Sequence, residues 1–193
     1  MTASPGEGLI EVSRQWVRDI HPSQALHMER TLDFIVEIDP AAALTTRLAG
    51  LMHDIERAFP GSPVFEPDRG WDDPLYNVAH MERCGRFVGD FMRDQGAEEA
   101  FVRTVVAIVV VHERGGWPEA DLVQAADSLS FLDVNVPLAA GWAASGRTTE
   151  AQARAKLQYS FDRMQLEAAR QLGRPLLERA WQIFEAELAD ARS

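Results

Sequence analysis

The sequence predicts an all-α domain, and three observations carry that reading. Pro, Asp or Ser stands repeatedly where apolar periodicity begins, as at the start of helices. Between these signals apolar residues recur at spacings of three and four, as in Leu44, Leu48, Leu51 and Ile55. The one stretch of strand-like composition, "VVAIVVV" from Val105 to Val111, has no partner strand anywhere in the chain.

Taken in order, the first helix so marked is "ALHMERTLDFIVEID", which begins after Pro22-Ser23 and carries Leu26, Ile35 and Ile38 as apolar positions. The second, "DPAAALTTRLAGLMHDIERAF", takes Asp39 as N-cap and Pro40 as its first helical residue. Phe59 to Pro74 is a loop, with four prolines and two glycines in sixteen residues, and loops of this length often line a site. Asp73-Pro74 repeats the same start, and the helix it opens ends at Gly96. "AEEAFVRTVVAIVVVHERGG" reads as a central, fully buried helix in which tertiary burial overrides the β-propensity of valine. "PEADLVQAADSLSFLDVNVP" follows. Thr149 and Gln152 form a capping box, opening a helix that runs to about Leu172, breaks at "GRP" and restarts as "LLERAWQIFEAELADA". The last segment carries an apolar stripe suited either to a homodimer or to packing on its own domain.

Composition narrows the function. The 193 residues, 46% hydrophobic and 25% charged, fit one soluble globular domain. A net charge of −11 argues against general affinity for nucleic acid or anionic membrane. A phosphate-bearing substrate would need local cations. The single cysteine, Cys84, rules out a disulfide framework and a thiolate zinc cluster and fits a small core residue in a reducing, cytoplasmic setting. The N-terminal stretch lacks a basic start followed by an apolar run, so no signal peptide is expected. The valine run is far too short to span a bilayer.

The chemistry lies in the polar residues set within apolar segments. In "LAGLMHDIERAF", His53 and Asp54 interrupt an otherwise apolar stretch, and a buried carboxylate without a partner costs several kcal/mol. His27, His80 and His112 stand in similar settings, "ALHME", "VAHME" and "VVVHER", and Asp127 in "AADSL". Side chains converging from facing helices are how bundles build metal sites. Mixed imidazole and carboxylate donors suit Fe, Mn, Co, Ni or Zn better than Ca or Mg. His21, beside Pro22, reads as a solvated loop residue.

The ordered pattern His, His-Asp, His, His, Asp resembles the HD-domain superfamily of metal-dependent phosphohydrolases. The likeness spans about residues 20–140, with helices over about 149–191 as a C-terminal extension of a single 1–193 domain. The stretch "VVVHERGGWPEADLVQAADSLSFLD" looks especially similar. The resemblance implies an all-α bundle in which His27, His53, Asp54 and Asp127 ligate one metal. His80 and His112 would hold a second, with Asp54 bridging. It also implies hydrolysis of a small phosphate ester or nucleotide, with His53 and Asp54 at the catalytic centre. The alternative is a mixed-valent di-iron oxygenase that cleaves a C–H or C–P bond with O₂, as some HD-type proteins with six such ligands do. A third alternative is a non-enzymatic bundle with vestigial ligands.

Substrate-side candidates follow from spacing. Lys156, Tyr159, Ser160 and Arg163 share one helical face, which can turn Lys156 and Arg163 toward the metal mouth to hold phosphate, or else form a solvated stripe. Ser128 and Asn135 follow Asp127; the Asn135 amide either orients substrate or caps its helix. Arg69, Trp71 and Asp72 in the long loop are candidates for the entrance, and Glu29, Glu82 and Glu113 for acceptors behind the imidazoles. Trp142 and Trp181 read as core or interface residues.

Overall fold

The computed structural model describes residues 5–192, and among these there are nine α-helices, two short 3-10 turns and no strand. The helices are α1 (Pro5–Ile20), α2 (Ala25–Ile38), α3 (Leu44–Met52), α4 (Pro74–Asp94), α5 (Glu99–Val109), α6 (Pro118–Val134), α7 (Val136–Ala144), α8 (Glu150–Asp162) and α9 (Glu167–Arg192). The 3-10 turns cover Ile55–Ala58 and Pro67–Arg69.

At the centre lies α6, packed against α2, α3, α5, α7, α8 and α9. Every residue from Leu122 to Leu132 is buried, so α6 has no polar face and no helical periodicity for the sequence to display. One apolar core joins α1–α6 through residues such as Ile35, Leu48, Met92, Val109 and Leu129. A second joins α6–α9 through Leu132, Val136, Leu157, Ala180 and Phe184.

Several boundaries differ from the sequence expectation, each for a local reason. Asp39 is not an N-cap: it closes α2, and its side chain accepts from the Ala41 N–H, so Pro40 lies in a turn and α3 starts only at Leu44. That helix also stops earlier, at Met52, which places His53 at its C-cap and Asp54 at the head of the following 3-10 turn rather than within a continuous helix. The valine segment is helical but not fully buried: Arg103, Thr104 and Ala107 form an exposed face, and His112 lies in a turn just beyond α5. The break expected at "GRP" falls instead at Arg163–Leu166, and α9 runs on through Pro175. Gly173 lets α9 lie close to the chain, since a Cβ there would sit 2.8 Å from Met164 Cε and 3.3 Å from Leu129 Cδ2. The apolar stripe of α9 is consumed internally, with Ala180, Phe184 and Leu188 buried in the second core. It therefore gives no argument for a homodimer.

Two helices escaped the sequence reading. In α1, Trp16 stacks on Phe91 with centroids 4.0 Å apart and Val17 is fully buried. In α7, Pro137 sits in the first turn, where proline starts a helix. The capping box is present, with Thr149 Oγ1 accepting from Gln152 N at 3.2 Å and Gln152 Oε1 accepting from Thr149 N at 2.8 Å.

The approach of α3 to α2 is tight at Gly50, where a Cβ would lie 2.2 Å from Ile35 Cδ1. Gly50→Ala is expected to cost about 1–3 kcal/mol through overpacking, softened by rotation of the Ile35 terminus. A shifted urea midpoint at unchanged m-value would register this loss.

Candidate metal centre

Four imidazoles and two carboxylates, brought from five segments, converge beneath the mouth of a cavity of about 360 Å³. His27 comes from the first turn of α2, His53 and Asp54 from the end of α3, His80 from α4, His112 from the turn after α5, and Asp127 from the middle of α6. The rings form a chain: centroids are 5.3 Å apart from His27 to His53, 5.1 Å from His53 to His112 and 5.2 Å from His112 to His80. All four histidines are at most 2% exposed.

Each ring is oriented from behind. His53 Nδ1 donates to Gly50 O at 2.8 Å and His112 Nδ1 to Val109 O at 2.7 Å, both carbonyls of a last helical turn. Ser130 Oγ donates to His27 O at 2.7 Å, so its lone pair accepts the His27 Nδ1–H at 2.9 Å. His80 Nδ1 meets Glu56 Oε1 at 2.9 Å. This network assigns the Nδ1–H tautomer to all four rings and turns their Nε2 lone pairs inward.

There those lone pairs meet oxygens that also lack protons. His27 and His53 Nε2 lie 3.1 and 3.2 Å from Asp127 Oδ1, and His80 Nε2 lies 3.0 Å from Asp54 Oδ1. The Nε2 atoms of His53, His80 and His112 are buried without an aligned hydrogen-bond partner. Buried acceptor against buried acceptor is unfavourable unless a proton or a cation stands between them. Three groups have donor atoms within 4.8 Å of one another: His27, His53 and Asp127; His53, Asp54 and His112; and His80, His112 and Glu113. The residues thus fit one or two transition-metal ions.

The electrostatics agree. Burial opposes ionisation of Asp54, yet Arg57, His53 and His80 outweigh it and hold the carboxyl well below its ordinary range. Asp127 behaves alike, burial being outweighed chiefly by Arg163 and His53. Burial pulls the His112 imidazole down to about 4, so this ring is neutral at pH 7. For His53, burial acts downward but Asp127 and Asp54 reverse it, and the net shift is upward.

The substrate-side candidates fare differently from one another. Lys156 lines the cavity, its Nζ 4.9 Å from the Phe131 ring, 5.2 Å from Tyr159 and 5.4 Å from Trp71. Burial, reinforced by Arg163, brings its ammonium down to about 8. Arg163, expected to hold substrate, is occupied by the protein: Nε donates to Ser128 Oγ at 2.7 Å, and its other nitrogens bind Glu113 and Asp127. Ser128 is fully buried and donates to Gln124 O, so it faces Arg163 and not the cavity. Tyr159 supports both cations with its ring face, while Ser160 is fully buried. Asn135 both closes α6 and lines the cavity, its Nδ2 donating to Gln24 Oε1 at 3.0 Å. Trp71 lines the wall and donates to Gln152 O, whereas Arg69 is paired with Asp73. Of the glutamates, Glu29 pairs with Arg18 and Glu82 is exposed; Glu113 lies 3.9 Å from His112 Nε2.

Some site residues were missed from sequence. Glu56 and Arg57 follow directly on His53-Asp54, and Arg57 lines the cavity 3.4 Å from Asp54 Oδ1. The signal was the density of polar residues in "HDIER", too many for an ordinary buried turn. His21 is not a solvated loop residue: it lines the cavity half-buried, with Nε2 enclosed and unpartnered. Trp142, expected in the core or an interface, lines the cavity beside Trp71, stacked on it with ring centroids 5.6 Å apart.

No protein-family model matches the chain, and no curated protein matches it. Among solved structures the chain is similar to the crystal structure of Bacillus subtilis YpgQ in complex with ADP, at 21% identity and a TM-score of 0.61 over 94% of this chain and 97% of that one. At this identity the likeness establishes a common helical fold, within which the present chain places a buried cluster of four histidines and two aspartates.

Proposed function

We propose that the chain is a single HD-type domain and a metal-dependent phosphohydrolase acting on a small phosphate ester or nucleotide. The observation that carries this reading is the convergence of inward-facing Nε2 lone pairs on buried carboxylates at the floor of an open cavity. His27, His53, Asp54 and Asp127 would hold one ion; His80 and His112, sharing Asp54, would hold a second. A divalent ion of the Fe, Mn, Co, Ni or Zn class supplies Lewis acidity toward a phosphoryl oxygen and activates water at neutral pH. The chain's own contribution is binding and orientation. Lys156 and Arg57 present positive charge beside the cluster, replacing the local cation that Arg163 cannot offer. Asn135 and His21 offer hydrogen bonds at the rim, and the stacked Trp71–Trp142 pair gives one apolar wall for a planar group. That YpgQ, sharing the fold, was crystallised with ADP supports a nucleotide as substrate class.

The test is turnover of a broad phosphate-ester and nucleotide panel by protein of verified metal content; failure against all of it would discard hydrolysis. A second reading, a di-iron oxygenase, is favoured by one observation: all six donors for two ions are present. O₂ uptake with a phosphonate or polyol, and a mixed-valent EPR signal, would move the assignment there.

Lys156 gives a pH prediction. Its ammonium, lowered to about 8, is charged below that pH and neutral above it. KM for a phosphate-bearing substrate should therefore rise as pH passes upward through about 8, or earlier once bound cations lower the ammonium further. Lys156→Met is expected to raise KM by roughly 10–100-fold, with a smaller change in kcat, and to flatten this dependence. An unchanged KM across the pH range would remove Lys156 from the binding site.

A further inference from the structure

Three of the four imidazoles are backed by neutral oxygens and one by a charge. His27, His53 and His112 donate their Nδ1–H to a hydroxyl or a backbone carbonyl, whereas His80 donates to the Glu56 carboxylate. Glu56 is fully buried, on the 3-10 turn that also delivers Asp54. Its second oxygen accepts from Arg83 Nε at 3.1 Å, and Arg83 in turn reaches Pro60 O. The Glu56 backbone carbonyl accepts from Ser62 Oγ at 3.2 Å. The carboxylate is thus held by Arg83 on one oxygen and meets the His80 imidazole with the other.

A carboxylate behind an imidazole polarises the ring and makes its inward nitrogen a stronger donor, and loss of such a partner typically weakens metal binding by about 10–100-fold. Neutral acceptors orient a ring without adding that charge. We propose that Glu56 is a positioning residue for His80 that sets the affinity of the ion position built on His80 and His112, making it unequal to the position built on His27, His53 and Asp127. This rests on the two-ion form of the reading above.

Metal-free full-length chain is titrated with Mn(II), ions per chain being counted by elemental analysis. Wild type is expected to take two ions. Glu56→Gln keeps an oxygen that can accept the His80 proton but removes the charge, and should weaken only the second ion, by about 10–100-fold. Arg83→Met keeps the carboxylate on His80 and should retain both. The proposal is overturned if Glu56→Gln binds both ions as wild type does, or loses both while its helical circular dichroism is intact. It is overturned equally if the double variant Glu56→Gln/Arg83→Met recovers the second ion, for Glu56 would then act only by neutralising Arg83. Wild type taking one ion overturns this proposal alone; wild type taking none overturns the metal-centre reading itself. Should Glu56→Gln not fold, ¹⁵N-histidine NMR of Zn(II)-loaded wild type reads the same question. The most downfield Nδ1 proton must belong to His80, and its falling among the other three would overturn the proposal.

Discussion

Asp54→Asn is expected to abolish metal-dependent activity while leaving the helical fold in place. In the two-ion reading Asp54 would serve both positions: its Oδ1 lies 3.0 Å from His80 Nε2, and it belongs to the group formed with His53 and His112. Removing its charge weakens both positions together. A fall in kcat/KM on the order of 10³-fold, about 4 kcal/mol, is expected. Folding should suffer less, because Arg57, the cation it leaves behind, has a side chain 36% exposed and can turn to water. The discriminating readout is thermal: an ion that binds only the folded chain raises wild-type Tm with metal concentration, and this rise should vanish in the variant. A variant that keeps both the Tm rise and the activity would detach Asp54 from the centre.

The second large effect concerns stability, and it separates two roles for one residue. Arg163, with a side chain only 7% exposed, binds Glu113, Asp127 and Ser128 at once. Arg163→Met leaves two buried carboxylates without their cation, at an expected cost of roughly 3–5 kcal/mol. For a chain of this size that lowers Tm by about 6–20 °C. Added metal should recover part of the loss, since a cation at Asp127 replaces the missing charge. The pH dependence has a definite sign. Burial acts upward on Glu113 and Asp127, but Arg163 leads the groups that hold both well below the usual carboxylate range. Their stabilisation is therefore complete above the ordinary carboxylate range and is lost as pH falls below it toward the folded values. In metal-free protein this acid-side decline should be steep in wild type and shallow in Arg163→Met. A variant whose only change was a higher KM would instead return Arg163 to the substrate.

How far the sequence disclosed all this depended on whether a feature was local. The Asp73-Pro74 start and the Thr149 capping box depend on neighbours within four residues, and both stand as read. The helix of the valine run was legible because the chain offered no strand to pair with it. Pro175 and Asp39 misled because their usual meanings do not hold here: α9 runs through Pro175, and the Asp39 side chain closes a turn. The six cluster residues were legible as costly polar groups in apolar segments. Their ring orientations were not, because the acceptors are backbone carbonyls, a distant serine and a distant carboxylate, as in His27 with Ser130 and His80 with Glu56. Arg163 and Lys156 shared a face in sequence as in structure, yet only the fold could show that Glu113 and Asp127 take one of them and leave the other at the cavity.

In the proposed metal centre the inward nitrogens of His27 and His53, with Asp54 and Asp127, surround an inorganic ion. Crystals grown with Mn(II) or Co(II) and measured at the metal's absorption edge test it most directly. An anomalous peak is expected at roughly 2.0–2.2 Å from the Nε2 atoms of both histidines, with the carboxylates completing the coordination. A folded, metal-saturated crystal with no peak there, its rings instead protonated and hydrogen-bonded to Asp54 and Asp127, would contradict it.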